Sequence, residues 1–151
     1  MNPSQASAIT VRKAETDLEF NHVFDIRTQV FVGEQEVDQE DDFDGFDHLS
    51  EHYLALFEGE PAGTSRWRMT SNGQVRLERF AVKEDFRGKG IGKALLQAML
   101  QEIPSGYPLF LHAQTFTQPY YQKMGFEAEG EAFEEAGMPH IRMTYQPMVT
   151  P

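Results

Sequence analysis

The spacing of apolar residues changes period along the chain, and each change marks an element. Residues 8–15 alternate weakly, as an edge strand does. Thr16 then has the chemistry of a helix N-cap, and Glu19 three residues on completes a capping box. Phe20, Val23, Phe24, Arg27, Val30 and Phe31 follow at helical spacing, which predicts one helix over residues 17–32. The polar segment after it, broken by Gly33 and Gly45, reads as a loop or a short irregular helix. The period then falls to two. Residues 53–58, 64–69 and 74–82 read as strands, joined by a turn over residues 59–63 and by an Asn72-Gly73 hairpin. Ile91, Leu95, Met99 and Ile103, flanked by Leu96 and Leu100, predict an amphipathic helix that stops before Pro104. Residues 108–113 form an apolar strand, 117–124 a short helix closed by Gly125, and 126–133 with 140–146 a last pair of strands. Residues 1–7 read as a loose terminus. No repeat or linker interrupts this order. The expectation is one α/β (α+β) domain over residues 1–151, with a mixed, mostly antiparallel sheet flanked by helices.

Composition narrows the class. A chain of 151 residues, 40% hydrophobic, can bury one core. It has no cysteine, which excludes a disulfide framework, a thiolate metal site and an acyl-cysteine intermediate. No apolar run approaches the roughly 18 residues that span a bilayer, and no signal segment opens the chain, so a soluble, cytoplasmic protein is expected. A net charge of −11 argues against nucleic acid or an anionic membrane as partner. The charge is also unevenly placed. Nine acids and no Lys or Arg lie in residues 33–52, whereas eight of the 13 basic residues lie in residues 66–93.

The basic stretch contains Arg87-Gly88-Lys89-Gly90-Ile91-Gly92, between a predicted strand and a predicted helix. Glycines let backbone N–H groups approach an anion, and a helix N-terminus faces it with positive charge. Arg87, Lys89 and Lys93 add to that charge, so the segment suits a phosphate group. A Walker A loop fails here because Gly92-Lys93 is followed by Ala94. A dinucleotide fingerprint fails because its third glycine falls on Lys93. An Arg-x-x-Gly-x-Gly pattern remains, formed by Arg87, Gly90 and Gly92.

With Leu77-Glu78-Arg79-Phe80-Ala81-Val82 before it, this loop resembles the acetyl-CoA pyrophosphate loop of the GNAT N-acetyltransferases. Tyr121-Gln122-Lys123-Met124-Gly125-Phe126 is similar to the family's Tyr-x-Lys-x-Gly-Phe signature. Val30-Phe31-Val32-Gly33-Glu34-Gln35, Asp44-Gly45, Ala113-Gln114 and Gly137-Met138-Pro139-His140-Ile141 resemble its ElaA/YjcF-like branch. The resemblance implies a GNAT fold and acetyl-CoA as co-substrate. It implies that the backbone of Phe80, Ala81 and Val82 holds pantetheine and the thioester oxygen, and that Gly88, Ile91 and Lys93 complete the diphosphate loop. Gln114 stands where many relatives carry an asparagine that contacts the cofactor. Tyr121 matches the residue that protonates the departing thiolate.

Acetyl transfer also needs something to take a proton from the amine. Glu78, on the strand that precedes the loop, is the first candidate; the competing role is an ion pair with Arg66, Arg76 or Arg79. Glu34 and His112 are further candidates near the acceptor. The acidic stretch reads either as a solvated surface or as a negative wall that attracts a cationic amine. Residues 40–51 come close to an EF-hand calcium loop, but Asp47 replaces the usual aliphatic residue and a strand follows where a helix is needed. His48 and His52 have helical spacing without a supporting motif, so no metal is expected. The expected activity is direct acetyl transfer from acetyl-CoA to a primary amine of a small molecule or peptide, by a monomer or homodimer. The alternative is a non-catalytic acyl-CoA-binding or regulatory module on the same fold.

Overall fold

The computed structural model describes residues 8–145, so the expected loose terminus and Gln146 lie outside the described residues, as do the side chains of Glu40 and Asp41. Strands β1 (Ile9–Lys13), β2 (Glu51–Phe57), β3 (Glu60–Met69), β4 (Val75–Val82), β5 (Leu109–Gln114), β6 (Phe126–Glu135) and β7 (Met138–Tyr145) make a seven-stranded sheet. Their order is β1-β2-β3-β4-β5-β7-β6. β4 and β5 run parallel, while β1/β2, β2/β3, β5/β7 and β6/β7 are antiparallel. The helices are α1 (Asp17–Arg27), α2 (Gln39–Asp42), α3 (Ile91–Glu102) and α4 (Gln118–Lys123). This is the mixed, mostly antiparallel sheet with flanking helices that the periodicity predicts. No helix among the described residues is long and apolar enough to cross a membrane. The described chain divides into two compact units, one of residues 8–67 and 79–103, the other of residues 68–78 and 104–145.

In the first unit, α1 starts at the expected capping box. Thr16 Oγ1 accepts from the Glu19 N–H at 3.1 Å, and Glu19 Oε1 accepts from the Thr16 N–H at 3.0 Å. Such a cap stabilises a helix start by about 1 kcal/mol. The α-helix ends at Arg27, five residues before the predicted end, and residues Thr28–Glu34 continue as a wider π-turn. Gln35 N–H reaches back five residues to Val30 O at 3.1 Å. Thr28, Val30, Val32 and Gly33 are all weak α-formers, and apolar spacing over a single turn does not separate the two helix types. Val23, Ile26 and Val30 pack with Leu54 and Ala81, sealed by Phe20, Phe24 and Phe31.

The β2–β3 connection also differs from the expectation. The turn is the two-residue pair Glu58-Gly59, both left-handed at φ +50° and +83°, and β3 begins at Glu60. That geometry matches the twist of paired strands. Pro61 is tolerated inside β3 because it pairs with Leu56 beside a bulge. Gly63 is required by close approach: a Cβ there would lie 2.8 Å from Ile91 Cγ2 and 3.0 Å from Ala81 O.

In the second unit, β6 and β7 are longer than predicted and join at Ala136-Gly137, again both left-handed. Five glutamates along β6 and Pro139 in β7 hide the strand period in the sequence. The β4/β5 ladder holds the pairs Val75↔Leu109 and Arg76↔Phe110.

Candidate active site

In the first unit, β4 ends at Val82, and a 3-10 turn at Glu84–Phe86 leads into the glycine loop. Gly88 and Gly90 are left-handed, at φ +79° and +86°. Gly90 is the N-cap of α3, and no side chain caps that end. The first-turn N–H groups of α3 are therefore left for an outside acceptor. Lys89 and Lys93 are exposed, and Lys89 Nζ lies 5.0 Å above the Phe57 ring. Arg87 donates through Nε to Val82 O at 3.0 Å and through Nη2 to Glu34 Oε2 at 2.6 Å. The structure thus joins two predicted site residues, Arg87 and Glu34, as an ion pair. Nothing lies within 4 Å of a Cβ built on Gly88 or Gly90. Open space, left-handed glycines, an uncapped helix end and two lysines together fit a diphosphate.

The acidic segment, which the sequence reads as either a solvated surface or a negative wall, holds a cluster of arginines. Arg27 and Arg66 are buried, with side chains 1% and 0% exposed. Asp47 Oδ1 accepts from Nη1 of both, each at 2.6 Å. Asp44 Oδ2 accepts from Arg66 Nη2 at 2.8 Å and Arg79 Nη2 at 3.0 Å. Asp42 lies 3.4 Å from Arg27 Nε and 3.3 Å from Arg79 Nε. Arg79, at φ +57°, sits in a backbone conformation that costs a non-glycine residue about 1–3 kcal/mol, offset here by these bonds. Arg27 is further sandwiched between the rings of Phe24 and Phe43, 5.3 and 5.1 Å away. Three carboxylates of this stretch thus neutralise three arginines. Burial alone would raise the carboxyl pKa values of Asp44 and Asp47, but the arginines outweigh it and hold both below the usual range. Burial pushes His52 down, so the ring is favoured neutral, with Nε2 2.9 Å from Asp47 O.

These shifts have one sign with respect to pH. Carboxylates depressed in the fold stabilise it above their unfolded pKa near 4 and lose that contribution as pH falls through the lower folded value. A histidine depressed in the fold does the same below about 6.5. The midpoint of urea unfolding is therefore expected to be flat from pH 8 to 7, to slip below about 6.5, and to fall steeply below about 4. A midpoint that rises on acidification from pH 7 to 4 contradicts this reading of the cluster.

In the second unit, Tyr121 sits on α4, a short helix opened by Pro119. Its ring meets Tyr120 and Phe126 edge-on, with centroids 5.2 and 6.0 Å away. Burial, reinforced by Tyr120, pushes its hydroxyl above the ordinary phenol range, so it keeps its proton at any physiological pH. Gln114 ends β5, and its Nε2 lies 3.6 Å from Met138 Sδ. Glu78 is buried between two guanidiniums. It accepts from Arg68 Nη2 at 3.2 Å, and Arg76 Nε lies 2.7 Å from Oε1. The ion-pair role is thus present with Arg76 and with Arg68, while Arg66 and Arg79 are occupied by aspartates. His112 Nδ1 lies 3.1 Å from Glu135 Oε1 and 3.1 Å from Arg76 Nη2. Sequence reasoning missed Glu135. No motif marks it, because β6 carries five glutamates and only the register of the β6–β7 hairpin selects this one.

The comparisons with known proteins agree with this architecture. A model of the acetyltransferase (GNAT) domain matches residues 29–147. The uncharacterized N-acetyltransferase YjcF of Bacillus subtilis (strain 168) is 35% identical over 134 residues, covering 86% of this chain and 94% of YjcF. An acyl-CoA N-acyltransferase from Pseudomonas aeruginosa is 29% identical, with a TM-score of 0.78 over 91% of this chain and 98% of that one. ElaA from Escherichia coli is 28% identical, with a TM-score of 0.80 over 91% of this chain and 99% of its own. The chain belongs to the GNAT acetyltransferase family. Within that family it is of the ElaA/YjcF-like kind, as its motifs predict.

Proposed function

We propose that this protein is an acetyl-CoA-dependent N-acetyltransferase that acts on a primary amine of a small molecule or peptide, in the cytoplasm, with residues 1–151 working as one catalytic domain. The observation that carries the reading is the uncapped start of α3, where left-handed Gly88 and Gly90 stand beside Lys89 and Lys93. In this reading the N–H groups of residues 88–93 and the three basic side chains hold the diphosphate. Arg87 exchanges Glu34 for it. The backbone of Phe80, Ala81 and Val82 holds the pantetheine arm and the acyl oxygen, and Gln114 adds a polar contact. Bound acetyl-CoA supplies an activated acyl carbon that an amine nitrogen can attack directly. Tyr121 donates its proton to the departing sulfur. Glu78, enclosed by Arg68 and Arg76, holds those two guanidiniums in place.

The direct test is release of CoA thiol from acetyl-CoA across polyamines, amino acids, aminoglycosides and peptide N-termini. Amine-dependent release is expected for at least one class. Tight CoA binding with no release in the presence of any of them would favour the non-catalytic module instead. The loop is tested separately by Gly90→Leu. The free protein has room for that side chain, at a cost of about 1–2 kcal/mol for the left-handed backbone. CoA binding measured by calorimetry should vanish while the far-UV spectrum is kept. Unchanged affinity would remove the loop from the diphosphate site.

A further inference from the structure

Residues Phe110, His112 and Gln114 share one face of β5, since side chains alternate along a strand. His112 is held there from several sides. Glu135 on β6 lies 3.1 Å from its Nδ1, and the Phe133 ring meets it edge-on with centroids 4.8 Å apart. From β4, Arg76 Nη2 approaches both Nδ1 and, at 3.2 Å, Glu135 Oε1. From β7, His140 Nε2 lies 3.8 Å from Glu135 Oε2. Arg142, opposite His112 in the ladder, turns its guanidinium over Phe110 at 3.9 Å and bonds Gln74.

This arrangement selects a tautomer. The hydrogen bond from His112, together with Arg76, keeps the Glu135 carboxyl ionised down to about 2. An ionised carboxylate only accepts, so Nδ1 must carry the hydrogen and donate it to Oε1. Arg76 then donates to the same carboxylate. The lone pair is left on Nε2, which makes no hydrogen bond to a described residue. A carboxylate that fixes Nδ1–H so that Nε2 can accept is the arrangement by which a histidine serves as a general base.

We propose that His112 Nε2 takes the proton from the incoming ammonium, with Glu135 as its positioning residue; this rests on the N-acetyltransferase reading above. The balance closes. R–NH3⁺ and acetyl-CoA become R–NH–acetyl, CoA thiol and one proton: the first nitrogen proton goes to His112 and on to solvent, and the second, lost as the C–S bond breaks, makes good the one Tyr121 gives to sulfur. Glu78 is the poorer acceptor because a proton placed there would disrupt pairs with both Arg68 and Arg76.

The first test needs neither ligand nor turnover. Two-bond ¹H–¹⁵N spectra of the labelled protein distinguish the tautomers of each ring. His112 should be the Nδ1–H form in the parent and shift toward Nε2–H in Glu135→Ala, where Arg76 alone faces Nδ1. An Nε2–H ring in the parent would overturn the proposal. In turnover, His112→Gln should lower kcat/KM for the amine about 10²-fold at unchanged acetyl-CoA affinity. In the parent kcat/KM should fall toward acid, and this dependence should be missing from the variant. Imidazole added to His112→Ala should restore part of kcat, which a purely structural role would not allow. If the parent acetylates an amine and His112→Gln stays within threefold of it, the base assignment falls alone. If the parent binds CoA and acetylates nothing, the enzyme reading falls and takes this assignment with it.

Discussion

Tyr121→Phe is expected to lower turnover about 10²- to 10⁴-fold while leaving acetyl-CoA affinity nearly unchanged. The change removes one oxygen and keeps the ring, so the edge-on contacts with Tyr120 and Phe126 remain. Those contacts belong to the ring and stay in the variant, so the fold should be kept. The hydroxyl carries its proton at neutral pH, so it can donate to the sulfur as the thiolate forms. The loss should therefore appear in kcat and equally in kcat/KM, with the acceptor KM little altered. Single-turnover measurements under chemistry-limited conditions read it cleanly. Near-parental rates there would remove Tyr121 from the mechanism.

Asp47→Ala is expected to destabilise the fold by about 3–5 kcal/mol, the range for stripping a buried ion pair of one member. One oxygen of Asp47 serves two buried guanidiniums, those of Arg27 and Arg66, which its removal leaves short of a counter-charge. Against a typical total of about 5–15 kcal/mol, such a loss is large. The urea midpoint should drop sharply with the slope kept. Asp47→Asn, which retains an acceptor and loses the charge, should fall between. Asp38→Asn, at an exposed position of the same acidic stretch, should stay within about 0.5 kcal/mol of the parent. Equal effects of Asp38→Asn and Asp47→Ala would mean that the stretch is a solvated surface after all. This ordering also explains why neutralising the segment is a poor probe of substrate charge: Asp42 and Asp44 belong to the same cluster.

Short-range chemistry was legible without coordinates. The Thr16–Glu19 capping box, the Asn72-Gly73 turn and the glycine loop before α3 each depend on residues within one or two turns of chain, so their signals survive in the sequence. The extra width after Arg27 and the left-handed pair Glu58-Gly59 were not legible. An apolar period sampled over a single turn fits more than one hydrogen-bond pattern.

By itself, then, the sequence determined the order of elements and the family, because each rests on local periodicity or contiguous motif. Only the tertiary structure decided what the charges do. A run of acids near Gly45 looks alike whether it faces water, calcium or arginine; folding brings Arg27, Arg66 and Arg79 onto it from three different elements. In the same way His112 and Glu135 stand 23 residues apart along the chain and 3.1 Å apart in space. Charge pairing and proton transfer act over a few ångströms, and strand register, which no local signal carries, sets which residues come that close.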